Sequence, residues 1–278
     1  MTPARQVAVV TGAGSGIGRA LALACAREGM AVVAADIEAD ALAQTQALVE
    51  AAGAACMVQR CDVSDAADVE QLAEASWRRW DGVDWLFNNA GVAVLGTAWE
   101  ATDDDWRWVL GVNLMGVVHG VRSFVPRMRA RGTPAHIVNT ASAAGLATVG
   151  GSAVYCASKH AVVAYSECLA KDLEQAGSPI GVSVVCPSLV ATRINESQRN
   201  RPAALAGAGP TAAAYEERVR AGMAASAVSA EDVARAAVEA IHARRFYVIP
   251  HAHTGASVRD RAQKIMGDFQ AIHQETFQ

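Results

Sequence analysis

Short apolar, β-branched runs alternate along the chain with longer stretches of helical period. The runs are Gln6–Thr11, Ala31–Asp36, Ala55–Arg60, Asp84–Asn88, His136–Thr140, Gly181–Cys186 and Phe246–Ile249. Helical patterns lie between them near Gly16–Glu28, Ala39–Ala52, Ala66–Trp80, Thr102–Arg131, Ser152–Gln175 and Ala230–Ala243. Strands that are apolar on both faces and separated by helices belong in a parallel sheet covered on both sides. Right-handed crossovers then wind such a sheet in both directions. The pattern predicts an α/β chain, with a doubly wound seven-stranded parallel sheet and helices on both faces, in a single domain over residues 1–278. Gly29, Gly53, Gly82 and Gly132 each follow a helical stretch, where a C-terminal cap is expected. The segment 189–229 breaks the rhythm. It is rich in Ala, Gly and Pro, and so long a connection predicts a substrate-binding lid. The tail, 251–278, carries mixed charge and a weak helical pattern.

Composition narrows the function classes. Hydrophobic residues make up 52% and charged residues 19%, enough to bury a large core. The net charge of −4, without clustered Lys and Arg, excludes a nucleic-acid partner. Apolar stretches are interrupted by Gly, Ser, Asn or charge, so no membrane span is expected. The N-terminus Met1-Thr2-Pro3-Ala4-Arg5-Gln6 enters a strand-like run without a signal-peptide pattern. The six cysteines form no C-x-x-C pair and are expected as free thiols in a reducing cytoplasm. His251-Ala252-His253 has no further ligand nearby in sequence, so no metal site is expected.

The first predicted strand runs into Thr11-Gly12-Ala13-Gly14-Ser15-Gly16-Ile17-Gly18, and a helix follows. The spacing is T-G-x-x-x-G-x-G. Glycines turn the chain tightly and let backbone N–H groups approach a pyrophosphate at a helix N-terminus, as in Rossmann-like folds. The second strand ends at Asp36, roughly twenty residues further on, where an acidic group binds the adenosine ribose hydroxyls. A carboxylate there repels a 2′-phosphate, and neither Ser15 nor Ile37 supplies a cation for one. These residues predict NAD(H) in preference to NADP(H). A solvated Asp starting a helix is the plainer alternative.

Further motifs follow in order. They are Cys61-Asp62-Val63, Asn88-Asn89-Ala90-Gly91, Asn113, Ser142, Tyr155-Cys156-Ala157-Ser158-Lys159, and Pro187-Ser188 with Val190-Ala191-Thr192. A Y-x-x-x-K pair alone is common. The ordered set, with Ser142 thirteen residues before Tyr155 (155 − 142), is highly specific. Over about residues 5–250 the chain resembles the short-chain dehydrogenase/reductase family. The resemblance implies a nicotinamide-dependent dehydrogenase with Ser142, Tyr155, Lys159 and Asn113 as its catalytic set. Gly12, Ser15, Gly16, Ile17, Gly18, Asp36 and Ile37 would hold the adenosine and phosphates. It further implies Asp62 and Val63 at the adenine, and Asn89, Ala90 and Gly91 beside the ribose. Lys159 would also hold the nicotinamide ribose, and Pro187, Val190 and Thr192 would sit at the nicotinamide, with Val190 and Thr192 at its carboxamide. Asn113 would help a water relay join Lys159 to solvent. One departure stands out: Pro187-Ser188 replaces the family's usual Pro-Gly and adds a Cβ beside the nicotinamide.

The chemistry also follows from the residue types. Tyr155 and Lys159 are four apart on a predicted helix and share a face. A phenol near its ordinary pKa of about 10 is a poor base at neutrality. A nearby ammonium and the positive nicotinamide stabilise the phenolate and lower that value. Only Lys159, Lys171 and Lys264 are lysines, so an ammonium at this position is notable. The Ser142 hydroxyl suits polarising the substrate oxygen; a turn-forming Ser is the alternative. Asn113 lies inside a long helical pattern, where Asn is a poor helix former, so either a specific buried role or a satisfied core Asn is expected.

Walls facing Tyr155 are expected from Ala93–Leu95, Ala144–Leu146, Val149, Leu189 and the excursion Ile194–Met223, with Ala144, Val149, Leu189, Ser142 and Tyr155 as substrate-binding residues. They are nearly all apolar, which suits a hydrophobic secondary alcohol or its ketone. Arg193, Arg199 and Arg201, near the lid, are the counter-argument. The runs Phe124–Met128, His136–Ser142 and Ser197–Pro202 are similar to bacterial alcohol dehydrogenases acting on benzylic carbons. Steroid, terpenoid and 3-oxoacyl substrates are the alternatives. A cofactor-binding regulator without turnover is the other class, against which the intact Ser142, Tyr155 and Lys159 argue. The resemblance also implies a homodimer or homotetramer packed through Thr102–Arg131 and Ser152–Gln175, with Val117, Val121, Val163 and Cys168 at the surface between copies.

Overall fold

The computed structural model describes residues 6–205 and 212–275. Strands β1 (Val7–Thr11), β2 (Ala31–Asp36), β3 (Cys56–Arg60), β4 (Trp85–Asn88), β5 (Ala135–Thr140), β6 (Ile180–Val185) and β7 (Tyr247–Val248) form one sheet. The order is β3-β2-β1-β4-β5-β6-β7, and every pairing is parallel. Successive residues of a strand point to opposite faces, and here both faces are buried. Ala8 and Val10 of β1 join the core under helices α1 (Gly16–Arg27), α2 (Ala39–Ala51) and α8 (Ala230–His242). Val7 and Val9 join the opposite core, under α3 (Ala66–Trp80), α5 (Gly116–Arg131) and α6 (Ala153–Gln175). This two-sided burial is why the strands read as unbroken apolar runs. The strand order reverses between β1 and β4, and a crevice opens beyond their carboxyl ends, where doubly wound sheets bind ligands.

The chain departs from the sequence pattern in several places. Thr102–Arg131 is not one plain helix: α4 (Asp103–Leu110) and α5 are joined by a π-helical turn over Gly111–Met115, with Asn113 at its centre. After α3, Asp81 rather than Gly82 takes the left-handed capping conformation, with φ of 58°. The stretch Asp103–Arg131 reaches the length and hydropathy of a membrane span, contrary to the pattern reading. Most of it is buried core, so the apolar character is explained within the fold. Val117, Val121 and Val163, expected between copies, are buried inside one chain; Cys168 is exposed. The excursion 189–229 contains a 3₁₀ segment (Arg193–Asn200) and α7 (Ala212–Ala224); its residues 206–211 lie outside the described residues. The tail forms α9 (Thr254–Glu275). All six cysteines are free thiols.

Candidate active site

The glycine loop joins β1 to α1 at one end of the crevice. Ser15 caps α1 in an extended conformation, its side chain makes no capping hydrogen bond, and the first turn holds no acidic residue. The first-turn N–H groups are therefore left for an anion, and the helix dipole favours one. Gly18 packs directly on the loop: a Cβ there would stand 2.0 Å from the Gly12 carbonyl oxygen. Asp36 at the end of β2 accepts the Gly14 N–H at 2.8 Å and the Glu38 N–H at 3.0 Å. These backbone donors hold the carboxylate beside the glycine loop.

Four residues tie this end to the other. Thr11 accepts the N–H groups of Asn89 (2.9 Å) and Ala90 (3.2 Å) on its hydroxyl. Asn89 donates its amide to the Thr11 carbonyl at 3.0 Å and accepts from the Thr140 hydroxyl at 3.2 Å. Lys159 donates its ammonium to the Thr140 carbonyl at 2.9 Å. The carboxyl ends of β1, β4 and β5 are thus locked together beneath the cleft.

Ser142 follows β5 and caps a 3₁₀ turn, accepting the Ala144 N–H at 3.1 Å. Its hydroxyl donates to the Pro187 carbonyl at 3.3 Å and lies beside the Tyr155 phenol in the same cavity. Burial pushes the phenol up to about 12, against a smaller lowering by Ser142. Burial likewise pulls Lys159 down to about 8. The sequence predicts a phenol lowered by the Lys159 ammonium together with the positive nicotinamide of the oxidised cofactor. Within the chain alone the opposite holds, because burial dominates; Lys159 stands 5.7 Å from the ring centroid with its ammonium bonded to Thr140. Any lowering must come from a further positive charge in the cleft.

Asn113 is fully buried and does not line the cleft. Its side chain accepts the Val92 N–H at 2.8 Å and donates to the Val92 carbonyl and to the Ser158 hydroxyl, both at 3.0 Å. It therefore pins the segment after β4 to α6.

A continuous cavity of about 610 Å³ runs from Asp36 to Tyr155 and beyond. Apart from Asn113, every predicted site residue lines it: Gly12, Ser15, Gly16, Ile17, Gly18, Asp36, Ile37, Asp62, Val63, Asn89, Ala90, Gly91, Ser142, Ala144, Val149, Tyr155, Lys159, Pro187, Leu189, Val190 and Thr192. Val94 and Leu146, expected as walls, instead pack into the cores. The far end is walled by Ala93, Leu95, Trp108, Val112, Val149, Leu189, Val219 and Met223.

The sequence reading missed two features. Glu38 receives Arg199 at 2.8 Å, Arg193 at 3.6 Å and the Asn200 amide at 2.9 Å. This latches the Arg193–Asn200 segment to the far side of the cleft. Arg201 is buried against Asp105 at 2.6 Å. The second feature concerns Ser188. Its N–H donates to His251 Nδ1 at 3.1 Å, its hydroxyl bonds His253 Nε2 at 3.0 Å, and His251 Nε2 donates to the Leu189 carbonyl at 3.1 Å. The tail histidines thus hold the loop whose geometry the Gly-to-Ser departure put in question. No cluster of metal-ligating side chains occurs among the described residues. Neither feature has a local sequence signal, since partners such as Glu38 and Arg199 are 161 positions apart.

The residues fit a dinucleotide. An uncapped helix N-terminus faces a glycine loop, a fixed carboxylate stands at the end of β2, and one cavity joins them to a Ser–Tyr–Lys group. A doubly wound sheet with these two ends defines a nicotinamide-dependent oxidoreductase. The profile of the short chain dehydrogenase family matches residues 6–203, and the chain belongs to that family of dehydrogenases and reductases. A 1-deoxy-11-beta-hydroxypentalenate dehydrogenase of Streptomyces exfoliatus is 38% identical over 258 residues, 92% of this chain and 86% of that one. A CLA biosynthesis dehydrogenase/reductase of Lactiplantibacillus plantarum is 31% identical, covering 95% of this chain and 94% of that one. The crystal structure of a short chain dehydrogenase/reductase from Burkholderia phymatum in complex with NAD is similar, with a TM-score of 0.93 and 45% identity. The match covers 95% of each chain.

Proposed function

We propose that this enzyme interconverts a hydrophobic secondary alcohol and its ketone, with NAD(H) preferred over NADP(H). The observation that carries the reading is the single cavity with Asp36 at one end, Ser142, Tyr155 and Lys159 in the middle, and an apolar chamber beyond. Asp36 favours ribose hydroxyls and repels a 2′-phosphate, and the nearby Arg193 and Arg199 are paired with Glu196 and Glu38. Gly12, Ser15, Gly16, Ile17 and Gly18 would hold the pyrophosphate, and Asp62, Val63, Asn89, Ala90, Gly91, Pro187, Val190 and Thr192 the remainder. The nicotinamide, when bound, supplies the hydride acceptor or donor.

The chain's own residues handle the proton. Ser142 holds the substrate oxygen beside the phenol. Tyr155 takes the hydroxyl proton in oxidation and returns it in reduction. Lys159, held by Thr140, stabilises the phenolate that forms. Apolar walls orient the carbinol and exclude water. The name of one relative, a 1-deoxy-11-beta-hydroxypentalenate dehydrogenase, is in keeping with oxidation of a hydroxyl-bearing substrate. The test follows NADH absorbance over ethanol-sized alcohols, sugars, small hydroxy acids, aryl carbinols and terpenoid alcohols. The bulky hydrophobic members are expected to have the highest kcat/KM. A tenfold advantage for a sugar or small hydroxy acid would overturn the reading.

The reading includes self-association as a dimer or tetramer. Its support is the exposed apolar stripe Ile265, Met266 and Phe269 along α9. A monomer by light scattering at micromolar concentration would contradict it.

A further inference from the structure

The lid helix α7 presents one face to the chamber. Tyr215, Arg218, Val219 and Met223 line the cavity from it, at the i, i+3, i+4 and i+8 spacing of a single helix face. The face is seated by close contacts. Tyr215 lies against Gly151, which has φ of +78°, and a Cβ there would stand 2.0 Å from the Tyr215 ring. Gly222 is pressed on Leu189, with a built Cβ 2.4 Å from its methyl carbon. Tyr215 therefore sits beside the first turn of α6, which also carries Tyr155, and Arg218 lies one helical turn along.

The cations lining this cavity are otherwise occupied. Arg193 and Arg199 share Glu38, and Lys159 donates to Thr140. Arg201, which does not line the cavity, is neutralised by Asp105. Among the described residues, Arg218 lines the cavity with no carboxylate at ion-pair distance, its guanidinium carbon 4.3 Å from the centroid of the Tyr215 ring. Stacking on an aromatic face restrains a guanidinium and leaves its edge donors free for a planar anion.

We infer that Arg218 is a specificity residue that receives a carboxylate carried by the substrate at a distance from the reacting carbinol. The substrate is then amphipathic: a hydrophobic body in the apolar chamber, its alcohol or ketone at Ser142 and Tyr155, and a carboxylate at the lid. One guanidinium with two coplanar donors matches a carboxylate. This inference rests on the secondary-alcohol reading above and sharpens its substrate class.

The test separates the two. Binding of decanoate and of its neutral analogue decanamide to the NADH-loaded enzyme is measured by titration calorimetry, on wild type, Arg218→Gln and Arg218→Lys. Wild type is expected to bind decanoate at least tenfold more tightly than decanamide. Arg218→Gln is expected to remove that preference while changing decanamide and NADH affinities less than twofold; Arg218→Lys should retain part of it. In parallel, oxidation of 9-hydroxydecanoate is compared with that of its methyl ester, and the acid should gain mainly through a lower KM in wild type alone. A wild type without preference, or an Arg218→Gln variant that keeps it, overturns the carboxylate site. Oxidation of the ester with no preference for decanoate or the acid overturns the site and leaves the secondary-alcohol reading standing. Preference for decanoate without oxidation of either alcohol overturns that reading and supports the site.

Discussion

Lys159 lies 5.7 Å from the centroid of the Tyr155 ring, yet its ammonium donates to the Thr140 carbonyl at 2.9 Å. The two side chains share one turn of α6; Lys159 is buried and Tyr155 is half-buried at the cavity wall. Burial disfavours charge on each, which raises the phenol to about 12 and lowers the ammonium to about 8. The Thr140 carbonyl keeps the ammonium in place and sets its distance from the phenol.

Tyr155→Phe removes the group placed to move the proton. The expected loss in kcat is about 10²–10⁴-fold, with NADH affinity kept within a few-fold. Lys159→Met should harm both rate and cofactor affinity. Stopped-flow turnover and NADH fluorescence titration read the two separately. A Tyr155→Phe enzyme within tenfold of wild type would mean that another group carries the proton.

Asp36 sets the cofactor. Wild type is expected to favour NAD over NADP by about 100-fold in kcat/KM, since a buried charge clash costs several kcal/mol. Asp36→Ser should cut that ratio by at least tenfold, chiefly by losing NAD affinity. Equal kcat/KM for both cofactors in wild type would sink the argument.

Glu38 latches the 3₁₀ segment across the cleft. Burial raises its carboxyl, but hydrogen bonds from Asn200 and Arg199, with the charges of Arg199 and Arg193, bring it below its ordinary value. The ion pairs are partly exposed, so the latch is worth little in global stability. Glu38→Gln is expected to speed NADH release by roughly two- to fivefold and to raise hydrogen exchange over 193–200. Unchanged exchange there would show that the segment is held by other contacts.

His136 sets part of the acid limit. Burial, with a smaller effect from Arg244, pulls it down to about 4. Ser183 donates its hydroxyl to the Arg245 carbonyl at 2.6 Å, so it accepts from His136 Nε2 at 2.8 Å, a bond the neutral and the charged ring can both make; burial is what favours the neutral one. The folded value lies below the unfolded one, so the contribution is complete above about pH 6.5 and is lost as pH falls toward 4. Its size is about 3 kcal/mol. Urea unfolding at pH 7.5 and 4.5 should show a smaller difference for His136→Gln than for wild type; an equal difference would clear His136 of the effect.

The Gly-loop, Asp36, Asn89, Ser142, Tyr155 and Lys159 were legible in the sequence because each belongs to a local motif at a fixed place on a strand end or helix face. The sheet was legible for the same reason: strands buried on both faces leave an unbroken apolar run, as in Ala31–Asp36. The π turn at Asn113 escaped the pattern, since a single widened turn barely alters helical period.

Periodicity and short spacings encode local geometry, so the doubly wound sheet, the glycine loop and the positions of Ser142, Tyr155 and Lys159 on their elements are readable from the residues alone. Which charges remain available depends on contacts made in the folded chain. Arg193, Arg199 and Arg201 look like open cations in the sequence, but Glu196, Glu38 and Asp105 pair with them. Ser188 looked like a disturbance, but His251 and His253 hold it. Val117, Val121 and Val163 looked like a contact surface, but they are buried within one chain. Each of these outcomes depends on residues far apart in sequence meeting at a distance of a few ångströms, and neither hydropathy nor spacing carries that information.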